Sequence, residues 1–227
     1  MEFPGIGLGA RFYSSGVGFG RYASGGTGGT ESFMGKIVYS GNVSLDGYIE
    51  DADGDFNFTE PDEEVHRFWN RWIEDAAATL MGRRLYETME PYWTEVAANP
   101  QGTDYTDEFA RAWVRTPRYV VSGTLGSVPD GITLIDGDVE QQVKRLKGSS
   151  DGAIDTGGAD LANSLAGLGL IDELMMVVYP VVVGAGKANL GPAFAGTKWE
   201  LLERSEFGSG ALLLRYGCAR GSGPDRV

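Results

Sequence analysis

From Lys36 onward, short apolar segments typical of β-strands alternate with longer amphipathic segments typical of helices. Strands separated by helices of about 10 to 15 residues pair in parallel, because the helix carries the chain back to the start of the sheet. Such a sheet is covered by helices on both faces. We therefore predict one three-layer α/β domain with a central, mostly parallel mixed sheet.

The individual elements follow from apolar spacing and helix-start signals. Strands are predicted at 36–44, 79–81, 118–122, 131–136, 153–156, 171–183, 198–207 and 210–219, and helices at 62–78, 83–90, 104–115, 138–147 and 159–170. Pro91 is expected to end the second helix because proline has no N–H to donate. A Gly-Ser turn separates the last two strands, which predicts a C-terminal antiparallel hairpin.

The charge and cysteine content restrict the partners. A formal net charge of -13 at pH 7 repels nucleic acid and anionic lipid, and no local basic patch is visible in the sequence. We therefore expect neither a nucleic-acid partner nor a membrane partner. One cysteine and one histidine cannot build an internal disulfide or the usual zinc sites, so we expect no metal site and a cytoplasmic location.

The two ends of the chain differ from the central part. Residues 1–33 are rich in glycine and show no sustained strand or helix period, so we predict disorder there. A clean strand pattern begins after Met34, which suggests that Met34 is the natural start. We predict a folded domain over residues 34–220 and a disordered tail over 221–227.

Two glycine-containing turns stand at the carboxyl ends of predicted strands, where open α/β sheets bind ligands. Gly157 and Gly158 precede a helix whose first amides can bind a phosphate, although such a pair is also ordinary turn geometry. Gly82 precedes Arg83 and Arg84, which either bind an anion or pair with acids on a solvated helix face. Neither turn matches the GxGxxG or Walker pattern.

The segment NVSLDG, residues 42–47, leaves the first strand and continues into the acidic loop 50–55. Asp-Gly is a frequent turn dipeptide, so Asp46 is either a turn residue or a functional carboxylate. The acidic loop lacks the remaining ligands of a calcium loop, and we interpret it as a mobile flap over a substrate. The aromatic residues either line a pocket for a flat heterocycle or fill the core; they are Phe68, Trp69, Trp72, Tyr92 and Trp93.

Four motifs follow one another in a recognisable order. They are NVSLDGYI, LMGRRLYETMEPYW, a strand-Gly-Gly-helix turn and LIDELMMVVYPVVVGAGK. Together they resemble the dihydrofolate-reductase-like family, in the form of the C-terminal reductase domain of bifunctional riboflavin-biosynthesis proteins (RibD C-terminal domain), over residues 36–220. The resemblance implies a dihydrofolate-reductase-like fold, bound NADPH and a homodimer.

The resemblance also assigns roles to residues. It places Asp46 beside the substrate as the catalytic residue, the Gly82 turn at the adenosine phosphate and the Gly157 turn at the pyrophosphate. The full sets that it implies are Asn42, Ser44, Gly47 and Pro180 for the substrate, and Gly82, Arg83, Arg84, Ser122, Thr156, Gly157, Gly158, Ala159, Asp160 and Leu161 for the cofactor.

Two positions depart from the family pattern. Gly123 follows Ser122 where many relatives have an arginine near the 2′-phosphate, so Arg83 or Arg84 would carry the preference for NADPH over NADH. Thr156 stands where riboflavin-pathway reductases usually have a glutamate. We expect an NADPH-dependent reductase of a pyrimidine- or pterin-like heterocycle, similar to 5-amino-6-(5-phosphoribosylamino)uracil reductase. The alternatives are a non-catalytic NADPH-binding dimeric module and a dihydrofolate reductase.

Overall fold

The computed structural model describes residues 35–100 and 102–219, which form a three-layer α/β arrangement as predicted. The predicted disorder of residues 1–33 and 221–227, and the domain limits at 34 and 220, lie outside the described residues. Within the two described ranges, no helix is long and apolar enough to cross a membrane.

An eight-stranded sheet forms the central layer. Its strands are β1 (Lys36–Ser44), β3 (Ala78–Gly82), β4 (Arg118–Val121), β5 (Ile132–Ile135), β6 (Ala153–Gly157), β7 (Glu173–Tyr179), β9 (Trp199–Glu206) and β10 (Leu212–Cys218). Their order is β5-β4-β3-β6-β1-β7-β10-β9. All neighbours pair in parallel except β10, which is antiparallel to both β7 and β9. The predicted mixed sheet and terminal hairpin are confirmed.

Five helices cover the two faces of this sheet. On one face lie α1 (Glu63–Asp75), α2 (Arg83–Ala98) and α3 (Asp104–Arg115), and on the other lie α4 (Val139–Ser149) and α5 (Ala159–Gly167). Successive side chains of β1 alternate between two buried clusters, with Ile37 and Tyr39 on the α4–α5 side and Val38 on the α1–α3 side. This alternation is what the period of a strand buried on both faces requires.

The prediction that Pro91 ends the second helix is wrong, because α2 continues through it to Ala98. Proline costs one helical hydrogen bond, but tertiary contacts hold the helix on both sides of it. Before it, buried Glu90 accepts a hydrogen bond from Trp113 Nε1 at 2.9 Å and lies 3.1 Å from Nε of Arg118. After it, the Trp93 ring packs 4.4 Å from the ring of Phe109.

The predicted strand 171–183 is shorter than expected, because β7 ends at Tyr179. Pro180 has no N–H for the ladder, and the chain turns there into a loop. That loop leads to β8 (Gly186–Ala188), which pairs antiparallel with β2 (Tyr48–Asp51) in a separate two-stranded ribbon. The sequence analysis missed this ribbon because both strands are short and lack an apolar alternation.

Candidate functional site

The two glycine turns lie side by side at one edge of the sheet. Strands β3 and β6 are neighbours in parallel, and Met81 is opposite Gly157 in their register. The turns after Gly82 and Gly157 therefore leave the same edge, where β1 and β7 also end opposite each other at Ser44 and Tyr179. This edge is the carboxyl end of the parallel strands, where ligands bind in sheets of this kind.

Glycine is favoured at both positions of the second turn. A Cβ on Gly157 would lie 2.6 Å from Cδ2 of Leu85, which belongs to the first turn of α2. Gly158 has φ +90, a conformation that residues with a side chain rarely adopt. The first turns of α2 and α5 therefore pack closely, and Leu161 completes the contact by lying 3.4 Å from a Cβ built on Gly82.

The helices at this edge differ from the other three in their first turn. Helices α1, α3 and α4 each begin after a residue whose side chain accepts a hydrogen bond from the first turn: Asp62, Thr103 and Asp138. Helices α2 and α5 begin after Gly82 and Gly158, which provide no side-chain cap. Their first amides have no partner within the helix and carry the positive end of its dipole, so they are suited to bind an anion.

The two predicted arginines point to different neighbours. Arg83 donates from Nη1 to Thr124 Oγ1 at 2.8 Å, and this threonine follows the end of β4. Ser122 at the end of β4 is buried, and its hydroxyl accepts hydrogen bonds from the amides of Thr124 and Leu125 at 3.1 Å each. Arg84 donates from Nη2 to Glu50 Oε2 on β2 at 2.9 Å. Arg83 thus faces the β4 loop, and Arg84 faces the ribbon.

The β2–β8 ribbon connects the two helix termini to the loop after β1. Glu50 of β2 pairs with Arg84 of α2, and Lys187 of β8 pairs with Asp160 of α5 at 2.5 Å. Asp46 lies in the three-residue stretch between β1 and β2, and the oxygen of Gly47 accepts from the amide of Asn189, just after β8. The predicted substrate and cofactor segments are therefore joined along one edge of the molecule.

Asp46 is exposed, and both of its carboxylate oxygens are used. Oδ1 accepts from Ser44 Oγ at 2.8 Å and from the amide of Val183 at 3.1 Å, and Oδ2 accepts from the amide of Gly184 at 2.7 Å. Partial desolvation alone would raise the pKa of Asp46, but the hydrogen bonds from Gly184, Val183 and Ser44 outweigh it and hold that pKa below its ordinary value. Asp46 is thus an ionised group that anchors the loop after β7.

The remaining predicted substrate residues serve mainly as supports for this loop. Asn42 accepts from Trp69 Nε1 at 2.9 Å and donates to the oxygen of Thr59 at 3.2 Å, so its side chain joins β1 to α1. Ser44 also accepts from the amide of Tyr48 at 2.8 Å. Pro180 is exposed at the start of the loop that Asp46 holds. These contacts fix the backbone around Asp46.

Three predicted cofactor residues are buried and face inward. Thr156 is fully buried, and its hydroxyl has no hydrogen-bond partner among the described residues. Ala159 and Leu161 are likewise buried in the first turn of α5. Only their backbone groups are placed to meet a ligand at this edge, whereas Asp160 points outward to Lys187.

Two polar residues on the α1 side of the sheet were not identified from the sequence. Asp155 of β6 accepts from Ser40 Oγ at 2.5 Å and from Trp72 Nε1 at 2.6 Å, both at Oδ1. Burial raises the pKa of Asp155, and these two hydrogen bonds offset the rise only in part. Tyr179 is buried at the end of β7, and its hydroxyl has no partner within the described part of the chain. Both residues lie within segments of the family resemblance, but nothing in the sequence distinguishes them from core strand residues, so only the fold reveals them.

Comparison with known proteins gives matches over most of the chain. YyaP, an uncharacterized protein of Bacillus subtilis (strain 168), is 27% identical over 186 residues, which cover 80% of this chain and 94% of YyaP. A crystal structure from Shewanella sp. PV-4, whose name assigns it provisionally to riboflavin biosynthesis, has a TM-score of 0.65 at 19% identity and covers 82% of this chain and 99% of its own.

A third comparison confirms the predicted fold. Dihydrofolate reductase from Enterococcus faecalis, complexed with NADP(H) and RAB-propyl, has a TM-score of 0.55 at 12% identity and covers 82% of this chain and 98% of its own. At this identity the likeness shows the dihydrofolate-reductase-like fold alone.

The profile of the RibD C-terminal domain matches residues 35–213, which is most of the chain. The protein therefore belongs to the RibD C-terminal domain family.

Proposed function

We propose that this protein is an NADPH-dependent reductase that transfers a hydride to a pyrimidine- or pterin-like heterocycle, similar to 5-amino-6-(5-phosphoribosylamino)uracil reductase of riboflavin biosynthesis. Membership of the RibD C-terminal domain family supports a reductase. The observation that carries the proposal is the pair of uncapped helix amino termini at neighbouring strand ends, connected by the ribbon to Asp46. We further propose that the enzyme acts in the cytoplasm.

The chain's own groups fit a dinucleotide phosphate. The amides after Gly158 suit the pyrophosphate, because Gly158 provides no side-chain cap that would compete for them. Arg83 is held toward the β4 loop by Thr124 and suits the 2′-phosphate. It would take the role of the arginine that many relatives have at the position of Gly123. When bound, NADPH would supply the hydride.

Asp46 has the properties of a positioning residue rather than a proton donor. Its lowered pKa keeps it ionised at neutral pH, and an ionised carboxylate accepts hydrogen bonds but has no proton to give. Oδ1 already has two partners and Oδ2 has one, so Oδ2 retains room for an N–H group of a heterocycle. We propose that Asp46 orients the substrate and fixes the loop at Val183 and Gly184.

Homodimer formation is part of the proposal and is supported by an apolar surface on the terminal hairpin. Leu201 and Leu202 of β9 and Leu212 of β10 are 50%, 54% and 41% exposed. Large exposed apolar side chains on an edge hairpin are typical of a surface covered by a partner. Light scattering of the purified protein is expected to give twice the mass of the chain.

The first test is cofactor binding followed by tryptophan fluorescence. NADPH should quench the fluorescence saturably, and Arg83→Ala should weaken NADPH binding by about tenfold or more, because a charge-assisted hydrogen bond to a phosphate is lost. NADH binding should change little in this variant. Arg84→Ala should weaken both cofactors equally, since Arg84 faces Glu50 rather than the β4 loop.

Arg145→Ala, on the exposed side of α4, is the matched control and should bind NADPH like the wild type. Absence of NADPH binding to the wild type at millimolar concentration would refute the proposal. Binding without any NADPH oxidation across a panel of pyrimidines and pterins would instead favour the non-catalytic dimeric module.

A further inference from the structure

The edge where the parallel strands end is acidic around Asp46. Residues 42–62, which lead from the end of β1 to the start of α1, contain seven acidic residues and no basic residue. The acids are Asp46, Glu50, Asp51, Asp53, Asp55, Glu60 and Asp62. The loop that Asp46 holds, residues 180–191, adds one basic residue, Lys187. The chain around Asp46 therefore carries a strong negative charge.

Hydrogen bonds keep the acidic segment next to β1 and the ribbon. The amide of Asp51 donates to the oxygen of Asp55 at 2.8 Å, which closes a tight loop on the end of β2. Asp51 Oδ1 also accepts from the amides of Asp53 and Asp55 at 2.9 and 2.8 Å. Further along, the oxygen of Thr59 accepts from Asn42 Nδ2 of β1 at 3.2 Å. The segment is thus tied at both ends to the elements that flank Asp46.

The negative charge of this segment reaches the end of β7. Burial raises the pKa of the Tyr179 hydroxyl, and the charge of Asp62 adds to the rise. Tyr179 is opposite Ser44 in the register of β1 and β7, and Ser44 lies two residues before Asp46. Asp62 itself caps α1 by accepting from the amide of Val65 at 2.9 Å. The amino terminus of α1, unlike those of α2 and α5, is therefore occupied by a carboxylate and is not open to a phosphate.

The basic side chains of this edge already face acids. In the turns and loops that form the edge, the basic residues are Arg83, Arg84 and Lys187. Arg84 pairs with Glu50 at 2.9 Å, and Lys187 pairs with Asp160 at 2.5 Å. Arg83 pairs with the acid four positions along α2 at 2.7 Å and faces the β4 loop. Among the described residues of this edge, no basic side chain is thus left to neutralise a phosphate on the substrate side.

We propose that the substrate bound beside Asp46 is a heterocycle without phosphate or any other anionic group. This inference rests on the proposed reductase function and narrows its substrate. A phosphate dianion next to ionised Asp46 would meet like charges and would be repelled. A neutral or protonated ring meets no such repulsion, and Asp46 can accept from its N–H groups. The likeness to 5-amino-6-(5-phosphoribosylamino)uracil reductase would then extend to the ring of the substrate but not to its phosphate.

Exposed apolar side chains next to Asp46 suit such a ring. Leu45 and Val182 are 62% and 68% exposed. The amide of Leu45 donates to the oxygen of Val181 at 2.8 Å, so the two exposed residues lie on adjoining backbone segments. Apolar side chains around a few polar groups are the usual lining of a small-molecule site. The edge therefore offers a flat ring apolar contacts together with a hydrogen-bond acceptor.

Ligand binding measured by calorimetry tests the inference without any turnover. The probes are two matched pairs, namely 5-amino-6-(5-phosphoribosylamino)uracil with its dephosphorylated form, and neopterin monophosphate with neopterin. The wild type should bind at least one dephosphorylated probe, and at low ionic strength it should bind that probe about tenfold or more tightly than the phosphate ester. The ratio should fall at high salt, because charges on an exposed edge are screened.

Replacing exposed acids of the segment should weaken this preference. In the Asp53→Lys, Glu60→Lys double variant, the ratio should fall about threefold or more, because two negative charges become positive. The Asp130→Lys, Asp151→Lys double variant has the same change of net charge at the opposite edge, where the parallel strands begin. It is the matched control and should keep the wild-type ratio.

The inference is overturned if a phosphate ester binds as tightly as its dephosphorylated partner or more tightly, or if neither dephosphorylated probe binds. It is equally overturned if the control double variant lowers the ratio as much as the Asp53→Lys, Glu60→Lys variant does. A failure of the reductase proposal is distinguished from these outcomes, because it appears as absent NADPH binding or oxidation while the preference for the dephosphorylated probe persists.

Discussion

Asp46 and Asp155 are carboxylates on neighbouring parts of one sheet, yet their surroundings shift their pKa values in opposite directions. Asp46 lies just after β1, exposed, and three donors hold its pKa below the ordinary value against a partial desolvation. Asp155 lies within β6, next to β1, and burial raises its pKa despite the hydrogen bonds from Ser40 and Trp72. The same side chain is thus stabilised as an anion in one place and as an acid in the other.

The difference comes from burial and from the kind of donors. Two of the donors to Asp46 are backbone amides of one loop, which approach both carboxylate oxygens while water solvates the rest. Both donors to Asp155 meet a single oxygen, and the surrounding β-sheet and α1 exclude much of the water. Asp46 is therefore the carboxylate that stays charged, and Asp155 is the one that retains its proton more readily. Enzymes use such differences in environment to separate the pKa values of carboxylates with different roles.

The largest effect is expected from Asp46→Ala. Loss of the carboxylate releases the amides of Val183 and Gly184, so the loop after β7 loses its anchor. If this loop positions the substrate, kcat/KM should fall about 100-fold, as is typical of a misplacement of about 1 Å. NADPH binding should be unchanged, because the uncapped helix termini are not touched.

Steady-state kinetics with the best substrate of the panel checks this prediction, and hydrogen exchange of the loop amides reports its anchoring. Asp151→Ala, at the opposite edge of the sheet, is the matched control and should retain full activity. Wild-type kcat/KM in Asp46→Ala would remove Asp46 from the mechanism and leave it as a turn residue.

A smaller effect is expected from Ser40→Ala. The variant loses the 2.5 Å hydrogen bond to Asp155, and a bond to a charged group contributes about 1.5 kcal/mol or more to stability. The loss should be greater at pH 8 than at pH 4, because the hydroxyl stabilises the anion more than the acid. Urea unfolding at both pH values measures it, with Ser205→Ala on β9 as the control. An equal loss at both pH values would show that Asp155 does not change its charge in this range.

Much of the fold was predictable because its signals are local. A short apolar segment located β1 at the residues where the structure has it, and the predicted helix starts at Asp62 and Asp138 coincide with the caps of α1 and α4. The failures occurred where tertiary contacts override local preference. Pro91 is tolerated inside α2 because Glu90 and Trp93 are held by α3, and a sequence read in windows contains no information about that packing.

The candidate site was predictable only as separate motifs. Glycine turns and arginines were recognised from the sequence and the family resemblance, but the adjacency of Gly82 and Gly157 depends on the strand order. Asp155 could not be singled out, because a lone acid in an apolar strand acquires its character only from Ser40, Trp72 and the exclusion of water.

The smallest effect, and the one that most sharply tests the comparison, is expected from Asp155→Asn. The amide oxygen can still accept from Ser40 and Trp72, while the cost of burying a charge disappears. Folding raises the pKa of Asp155 above its ordinary value of about 4. The wild type therefore loses stability as the pH rises from that ordinary value to the raised pKa of the folded state, and the loss stays constant at higher pH. Relative to the wild type, the variant should gain stability as pH rises through that window and keep the gain above it.

At pH 8 the gain should be on the order of 1 kcal/mol, or about 2–4 °C in Tm for a chain of this size. Near pH 4 and below, the two proteins should unfold together, since Asp155 is then protonated in both the folded and the unfolded wild type. Asp151→Asn, an exposed carboxylate at the other end of the strand, should show no such pH dependence. If Asp155→Asn is destabilised at pH 8 and not at pH 4, then Asp155 is stabilised as an anion like Asp46, and the contrast between the two regions is wrong.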